Sequence, residues 1–447
     1  MSELRARGRI TAASGVPEAP AVRRQNSFRV LRRRNFALFW TAGLLSNTGT
    51  WMQTVAVPFV LFELTHSTVW LGVGALASLG TGLLMGPIAG LLADRFSRRL
   101  VLFMTQAGQM LAAFALFAVW KSGLATPGLI VGILVVSGAA GGLGIASWQA
   151  LVPQLVEPDE LLDGVRINSL QFMGARAFGP ALAGLVLEVF GPSGAFLINA
   201  ISFLIVLVAL LAVRPRPVPR AQGQWRVLDH FREGLRYLLA RESLWLAVVV
   251  MFFISFFPSA VLQLAPAIAK EFDVGQGAYG LIVALFGGGA IVGSVFVAMF
   301  ADRFRRSALV IAGSISIGSA VVALGLAPSY PVVLVCLGWM GISYITISTA
   351  LSTSIQARVD ELQRGRVISL YLMGLQAGIP LGALLQGKLA ELIGLRDTFI
   401  AAGVAMIAVI LTLAATRNSL RAIDQTIERG TAHADPLLVP NVVVTPD

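Results

Sequence analysis

"GLLADRFSRRLVLF" opens at Gly90, and "AMFADRFRRSALVI" opens at Ala298. The same cluster, Ala-Asp-Arg-Phe followed by further arginines, stands twice, each time between long apolar stretches. Asp94 and Asp302 are 208 positions apart, and a second echo is longer. "NSLQFMGARAFGPALAG" (168–184) aligns without gaps on "ISLYLMGLQAGIPLGAL" (368–384), pairing Ser169 with Ser369, Met173 with Met373, Gly174 with Gly374 and Pro180 with Pro380. A chain that repeats itself over so long a period is built from two like halves.

Composition says what surrounds the apolar stretches. Of 447 residues, 56% are hydrophobic and 13% charged, and a soluble domain carries about twice that share of charge. Runs such as "FALFWTAGLL" from Phe36 and "AFLINAISFLIVLVALLAV" from Ala195 are apolar on every face of a helix, as a segment in hydrocarbon must be. Runs long enough to cross a bilayer lie near 36–63, 68–92, 100–120, 127–155, 164–190, 194–213, 243–269, 277–300, 308–327, 331–357, 366–391 and 396–416. Polar, proline-broken "RPRPVPRAQGQWRVLDHFREGLRYLLARES" separates the sixth run from the seventh. The chain reads as an all-α membrane protein, with twelve transmembrane helices in two pseudo-symmetric six-helix bundles. The bundles cover 35–213 and 242–416, joined by a linker at 214–241 and flanked by tails at 1–34 and 417–447.

Of the 34 Lys and Arg, 29 fall in the tails, the linker and alternate loops on one side. Basic loops stay in the cytoplasm, so both termini are expected inside, at a cell's inner (cytoplasmic) membrane. The first 34 residues hold nine arginines and no apolar run, unlike a cleavable signal peptide. Charge dispersed between spans is not the basic patch of a nucleic-acid binder. Cys336 stands alone and there are three histidines, so neither a disulfide framework nor a metal or cofactor site is expected. "GALLQGKL" (382–389) nearly spells a phosphate-cradling loop, but it ends in Leu inside an apolar run. No enzyme is read here.

The duplicated cluster has a physical use. Gly90 lets helices approach, and a carboxylate at Asp94 can accept from a facing helix N-terminus while pairing with arginines. Arg95, Arg98 and Arg99 hold the loop inside and can bridge to the other half. Asp302 and Arg303 repeat the arrangement, with Ala298 in place of the glycine. The expectation is a latch in each half, made when the inner side is shut and lost when it opens, with the second latch the weaker. In the fifth run, Gly179-Pro180 bends the helix, and Ala175, Gly179 and Ala183 give a small-residue packing face. Pro380 is its counterpart.

The two-half plan, the loop Gly90…Asp94-Arg95…Arg98-Arg99 and the Gly-Pro element resemble the major facilitator superfamily, over about residues 28–416. "RNFALFWTAGLLSNTGTWMQTVAVPFVLFELTHST" and "WQALVPQLVEPDELLDGVRINSL" are similar to its transmembrane secretion effector branch, which holds the macrolide-efflux and enterobactin-exporter proteins. The resemblance implies an inner latch at the loop motif and an antiporter association for the Gly-Pro element, here with Ala183 where Gly is usual. It also implies a central cavity lined by spans one, four, seven and ten. The candidates there are Ser46, Asn47, Thr50, Gln53 and Thr54, then Trp148 and Gln149. Span seven adds Phe252, Phe253, Phe256 and Gln263, and span ten Ser343, Tyr344, Thr346, Thr349 and Thr353. Such a cavity is wide, aromatic and weakly polar, suited to a bulky amphipathic solute. The alternative is that the hydroxyls bond their own helix carbonyls and the rings face lipid.

Arg176 stands about ten residues into span five, roughly midway across the hydrocarbon. Facing lipid it would cost on the order of 3 kcal/mol or more. Either it bonds a carbonyl freed by the Pro180 kink, or it supplies a fixed positive charge that attracts anionic groups on the substrate. Its counterpart in the second half is Gln376. No Asp or Glu lies in mid-span; Glu63, Glu188, Glu271 and Glu391 lie near outer ends, and Glu63 with His66 is the preferred proton-coupling pair. The function expected is a monomeric secondary exporter moving amphipathic organic molecules such as siderophores or drugs by proton antiport, with membrane lipid around it. Its rivals are a lipid or lysolipid flippase of the same fold and a non-transporting receptor or assembly partner.

Overall fold

The computed structural model of the protein describes residues 27–216 and 227–416. The tails beyond them, and the proline-rich part of the linker, lie outside the described residues. Ser27–Arg32 is a 3-10 turn that buries Val30 and leads into the first span, Arg34–Thr65. The second span runs Thr68–Ala75, a π-helical turn at Leu76–Gly80, then Thr81–Arg95. Arg98–Lys121 and Pro127–Leu151 are the third and fourth, each started by a side-chain cap, from Ser97 to the Leu100 amide and from Thr126 to the Leu129 amide.

The fifth and sixth spans form one helical run, Leu161–Ala212, broken at Gly191. Gly191 has φ 65°, a conformation that glycine adopts without steric cost, and Pro192 follows it. The linker ends in the helix Val227–Leu239. The seventh span is not continuous either: Glu242–Phe256 gives way to a 3-10 turn over Ser259–Leu264 and resumes at Ala265–Glu271. The rest are Gln276–Phe300, Arg306–Gly325, Tyr330–Arg358, Glu361–Ile393 and Leu395–Thr416.

Ten helical runs are long and apolar enough to cross a bilayer. One of them, Pro158–Ala212, holds two spans, and Arg34–Thr65 is not among the ten because its polar stretch from Ser46 to Thr54 dilutes its hydropathy. Together they make the twelve spans, in two bundles of six. The pairings repeat between bundles. The second span packs on the fourth as the eighth packs on the tenth, the third on the fourth as the ninth on the tenth, and the first on the fifth as the seventh on the eleventh. The halves meet through the second span against the eleventh and the fifth against the eighth.

These two seams close at one end. The termini and linker leave the bundle at what is here termed the arginine end; the other is the far end. At the far end Thr68 Oγ1 donates to the Gly387 carbonyl at 2.7 Å, and the Gly277 amide donates to Glu188 at 2.7 Å. Ser67 Oγ donates to Glu391, which the Val69 amide also reaches. Tyr279, fully buried, donates to the Val55 carbonyl at 2.7 Å. The fifth and eighth helices cross where a Cβ on Gly184 would lie 2.9 Å from Gly280 Cα, so only glycine permits the approach. Toward the arginine end, a Cβ added to Gly86, Gly90, Gly174 or Gly288 would meet nothing within 4 Å. The halves are shut at the far end and splayed at the other.

Candidate functional site: a central cavity

A cavity of about 480 Å³ lies between the spans. The first four spans supply most of its wall, with Phe172, Phe203, Gln263 and Gln376 from elsewhere. Seven carboxamides face it: Asn47, Gln53, Gln106, Gln109, Gln149, Gln263 and Gln376. Each can both donate and accept, and among the described residues no Asp, Glu, Lys or Arg lines the wall. Gln53 is held by Asn199, whose Nδ2 donates to Gln53 Oε1 at 2.8 Å. Gln106 Oε1 is buried without a hydrogen-bond partner. An unpaired buried acceptor costs stability, and one on a cavity wall is available to a ligand donor.

Trp148 forms one side. Its ring packs against Phe39 at 4.5 Å and meets Phe172 edge-on at 6.2 Å. Behind it Gln171 is fully buried with neither amide atom paired.

Of the residues proposed from the sequence, the cavity is lined by Ser46, Asn47, Thr50, Gln53, Thr54, Trp148, Gln149 and Gln263. Asn47 and Thr54 also bond their own helix, at the Gly43 and Thr50 carbonyls. Phe252, Phe253, Phe256, Tyr344, Thr349 and Thr353 do not line it. The phenylalanines stack among themselves, with Phe252–Phe256 at 5.6 Å and Phe253–Phe257 at 5.9 Å, on a seventh span packed against the eleventh. Ser343 shares a 2.9 Å hydrogen bond with Ser316, Thr346 donates to its own Ile342 carbonyl, and Thr353 is exposed. The wall is lopsided: the second half brings only Gln263, in the 3-10 turn of the seventh span, and Gln376 to the cavity. Gln106 and Gln109 had been missed. Their signal was legible: two glutamines three apart inside "FMTQAGQMLAAF", on one face of an apolar helix.

Arg176 bonds no carbonyl at the Pro180 kink. Its guanidinium lies 5.7 Å from the ring centroids of both Trp51, in the first span, and Tyr344, in the tenth. Gly179 is pressed on Trp51, where a Cβ would lie 3.2 Å from Trp51 Cγ. Pro180 and Pro380 are both buried.

At the arginine end, Arg98 donates to the Ala150 carbonyl at 3.2 Å and Arg99 to the Leu211 carbonyl at 2.9 Å. Both acceptors belong to the same half, at helix C-termini, where a cation is favoured. Arg95 and Arg303 are exposed, Arg303 over the Phe300 ring at 5.3 Å. The side chains of Asp94 and Asp302 lie outside the described residues. Bridging from Arg98 or Arg99 to the other half is not made in this splayed arrangement. Nor is the expected Glu63–His66 pair. Both residues are exposed, and His66 ends its helix at φ 50° with its ring edge-on to Phe62. The far-end carboxylates that touch the opposite half are instead Glu188 and Glu391.

Comparison with known proteins fits this architecture. Residues 25–445 match the family described as transmembrane secretion effector. The enterobactin exporters EntS of Escherichia coli O1:K1 / APEC and of Shigella dysenteriae serotype 1 (strain Sd197) are each 25% identical over 399 residues, 89% of this chain and 95% of theirs. Among solved structures, the nucleoside transporter NupG superposes with a TM-score of 0.68 at 14% identity, covering 88% of this chain and 100% of its own. A bacterial homologue of the human lysosomal transporter Spinster, inward-facing and unoccupied, gives 0.65 at 16% identity, over 88% and 98%. The structural likenesses establish the fold, and the family match covers nearly the whole chain. The chain belongs to the transmembrane secretion effector family of the major facilitator superfamily, a multi-pass membrane transporter and not an enzyme.

Proposed function

We propose that the chain is a secondary exporter that moves amphipathic organic molecules out of the cytoplasm by alternating access, in exchange for protons. The observation that carries the proposal is the two-ended interface, sealed at the far end and splayed at the other around an uncharged amide-and-aromatic cavity. A cavity without fixed charge on its wall accepts apolar bodies that carry a few hydrogen-bonding groups. Relatives that are enterobactin exporters support the outward direction. The arginine end is assigned to the cytoplasm by its basic loops, which makes this conformation inward-open.

Inverted vesicles containing the protein are expected to accumulate members of a panel of siderophores, macrolides and amphipathic dyes. Accumulation should collapse when the pH gradient is dissipated. Uptake indifferent to the gradient removes the antiport, and no gradient-driven uptake of any panel member removes the exporter. Reporters fused after Thr416 or within 214–241 should read as cytoplasmic; a periplasmic signal from either overturns the orientation.

A further inference from the structure

Arg176 holds a position that packing alone does not explain. It lies near the middle of the fifth span, on a helix that forms a seam between the halves. Guanidinium stays charged at any physiological pH and carries five N–H donors. Among the described residues it makes no hydrogen bond and no ion pair; its ring contacts are Trp51 and Tyr344, and its surface is exposed. Rings attract the cation through their faces, but they accept no conventional hydrogen bond. The five donors are left for water or a ligand.

The surroundings are fixed before any ligand arrives. Trp51 is backed by Gly179, while Tyr344 is 5% exposed and packs against Phe286 at 5.6 Å. The residue at the matching position of the second half, Gln376, lines the cavity. Arg176 itself stands off that wall, beside Trp51 of the first half and Tyr344 of the second. Among the described residues the cavity wall carries no charged side chain of either sign, so nothing on it offsets the pull of the Arg176 charge on an anion.

We propose that Arg176, framed by Trp51 and Tyr344, is the docking site for an anionic oxygen group, a carboxylate or phosphate, on an amphipathic substrate whose body occupies the glutamine-lined cavity. The transport role rests on the exporter reading; the binding site does not. Because the two rings come from opposite halves, an anion held there touches both and is sensed by both.

The test uses the full chain in nanodiscs and three fluorescent probes: an aromatic monocarboxylate, its primary amide, and a lysophosphatidate. The carboxylate should bind at least about tenfold tighter than the amide, as a charge-assisted hydrogen bond provides. Arg176→Gln, which installs the second half's own residue, should erase that preference while leaving amide binding unchanged. Arg176→Lys should keep part of it. Stronger binding of the lysophosphatidate than of the carboxylate would identify lipid as the source of the anion; the reverse identifies a soluble solute. Equal affinity for carboxylate and amide, binding of neither, or a preference that survives Arg176→Gln overturns the site. These readings stand apart from vesicle transport, so the site and the exporter can fail separately. If Arg176→Gln does not assemble, Arg176→Lys decides: an unchanged or partial preference supports the site, and a full loss with intact amide binding overturns a role for the charge.

Discussion

At the far end the fifth and eighth helices touch backbone to backbone at Gly184 and Gly280, and carboxylates from each half take amide protons from the other. At the arginine end the same helices diverge, and Gly90, Gly174 and Gly288 face open space. Glycines thus stand on both stretches of the seams, but only one stretch is in use. Glycines that pack against nothing are intelligible if the arginine end has a second arrangement in which it closes. The arginines fit the same view. Arg98 and Arg99 hold carbonyls of their own half here, single hydrogen bonds through half-buried side chains that can be exchanged at modest cost.

The largest effect is expected from filling the far-end crossing. Gly280→Leu forces two backbones apart, and overpacking of about 1–3 kcal/mol shifts the balance of states by about 5- to 150-fold. Ser137→Cys on the cavity wall, in a Cys336→Ala background, should then react with an impermeant thiol reagent added from the far side, with transport nearly abolished. Unchanged labelling would break the comparison. Gly90→Leu should leave far-end closure intact and stop transport by blocking closure of the arginine end.

The next effect sharpens the ranking of the two duplicated loops. Asp94→Asn is expected to impair transport several-fold more than Asp302→Asn, because the second loop has Ala298 where the first has Gly90. Greater damage from Asp302→Asn reverses the ranking. The smallest effect is at the carboxylates. Glu188 and Glu391 each meet a helix N-terminus, worth about 0.3–1 kcal/mol, so Glu188→Gln or Glu391→Gln should raise far-side labelling of the cavity cysteine by about two- to fivefold. No change in the double variant would show that the glycine crossing alone holds the seam.

The fold was legible because its signals are long: twelve apolar runs, a repeat at fixed offset and one-sided arginines. What the sequence concealed was local. Gly191 joins two spans into one helical run because its positive φ turns the chain without a loop. The break at Ser259–Leu264 hides inside an apolar stretch that reads as continuous. The cavity lies mostly against the first half, where Gln106 and Gln109 line it and the phenylalanines chosen for span seven do not. Glu63 and His66 are near in sequence, but a left-handed cap turns the chain between spans, and proximity along the chain did not become contact. Glu188 and Glu391 had no such neighbour, since their partners lie in the opposite half.

The most direct measurement of alternating access is to fasten the far end and follow transport. Ser67 and Glu391 meet side chain to side chain across the halves, so Ser67→Cys with Glu391→Cys in a Cys336→Ala background should link through a short bis-methanethiosulfonate, which joins the two thiols by reducible disulfides. The expected result is transport that stops on cross-linking and returns on reduction, while each single cysteine variant is unaffected by the reagent. Full transport through the linked protein would contradict the proposal that the far end must part.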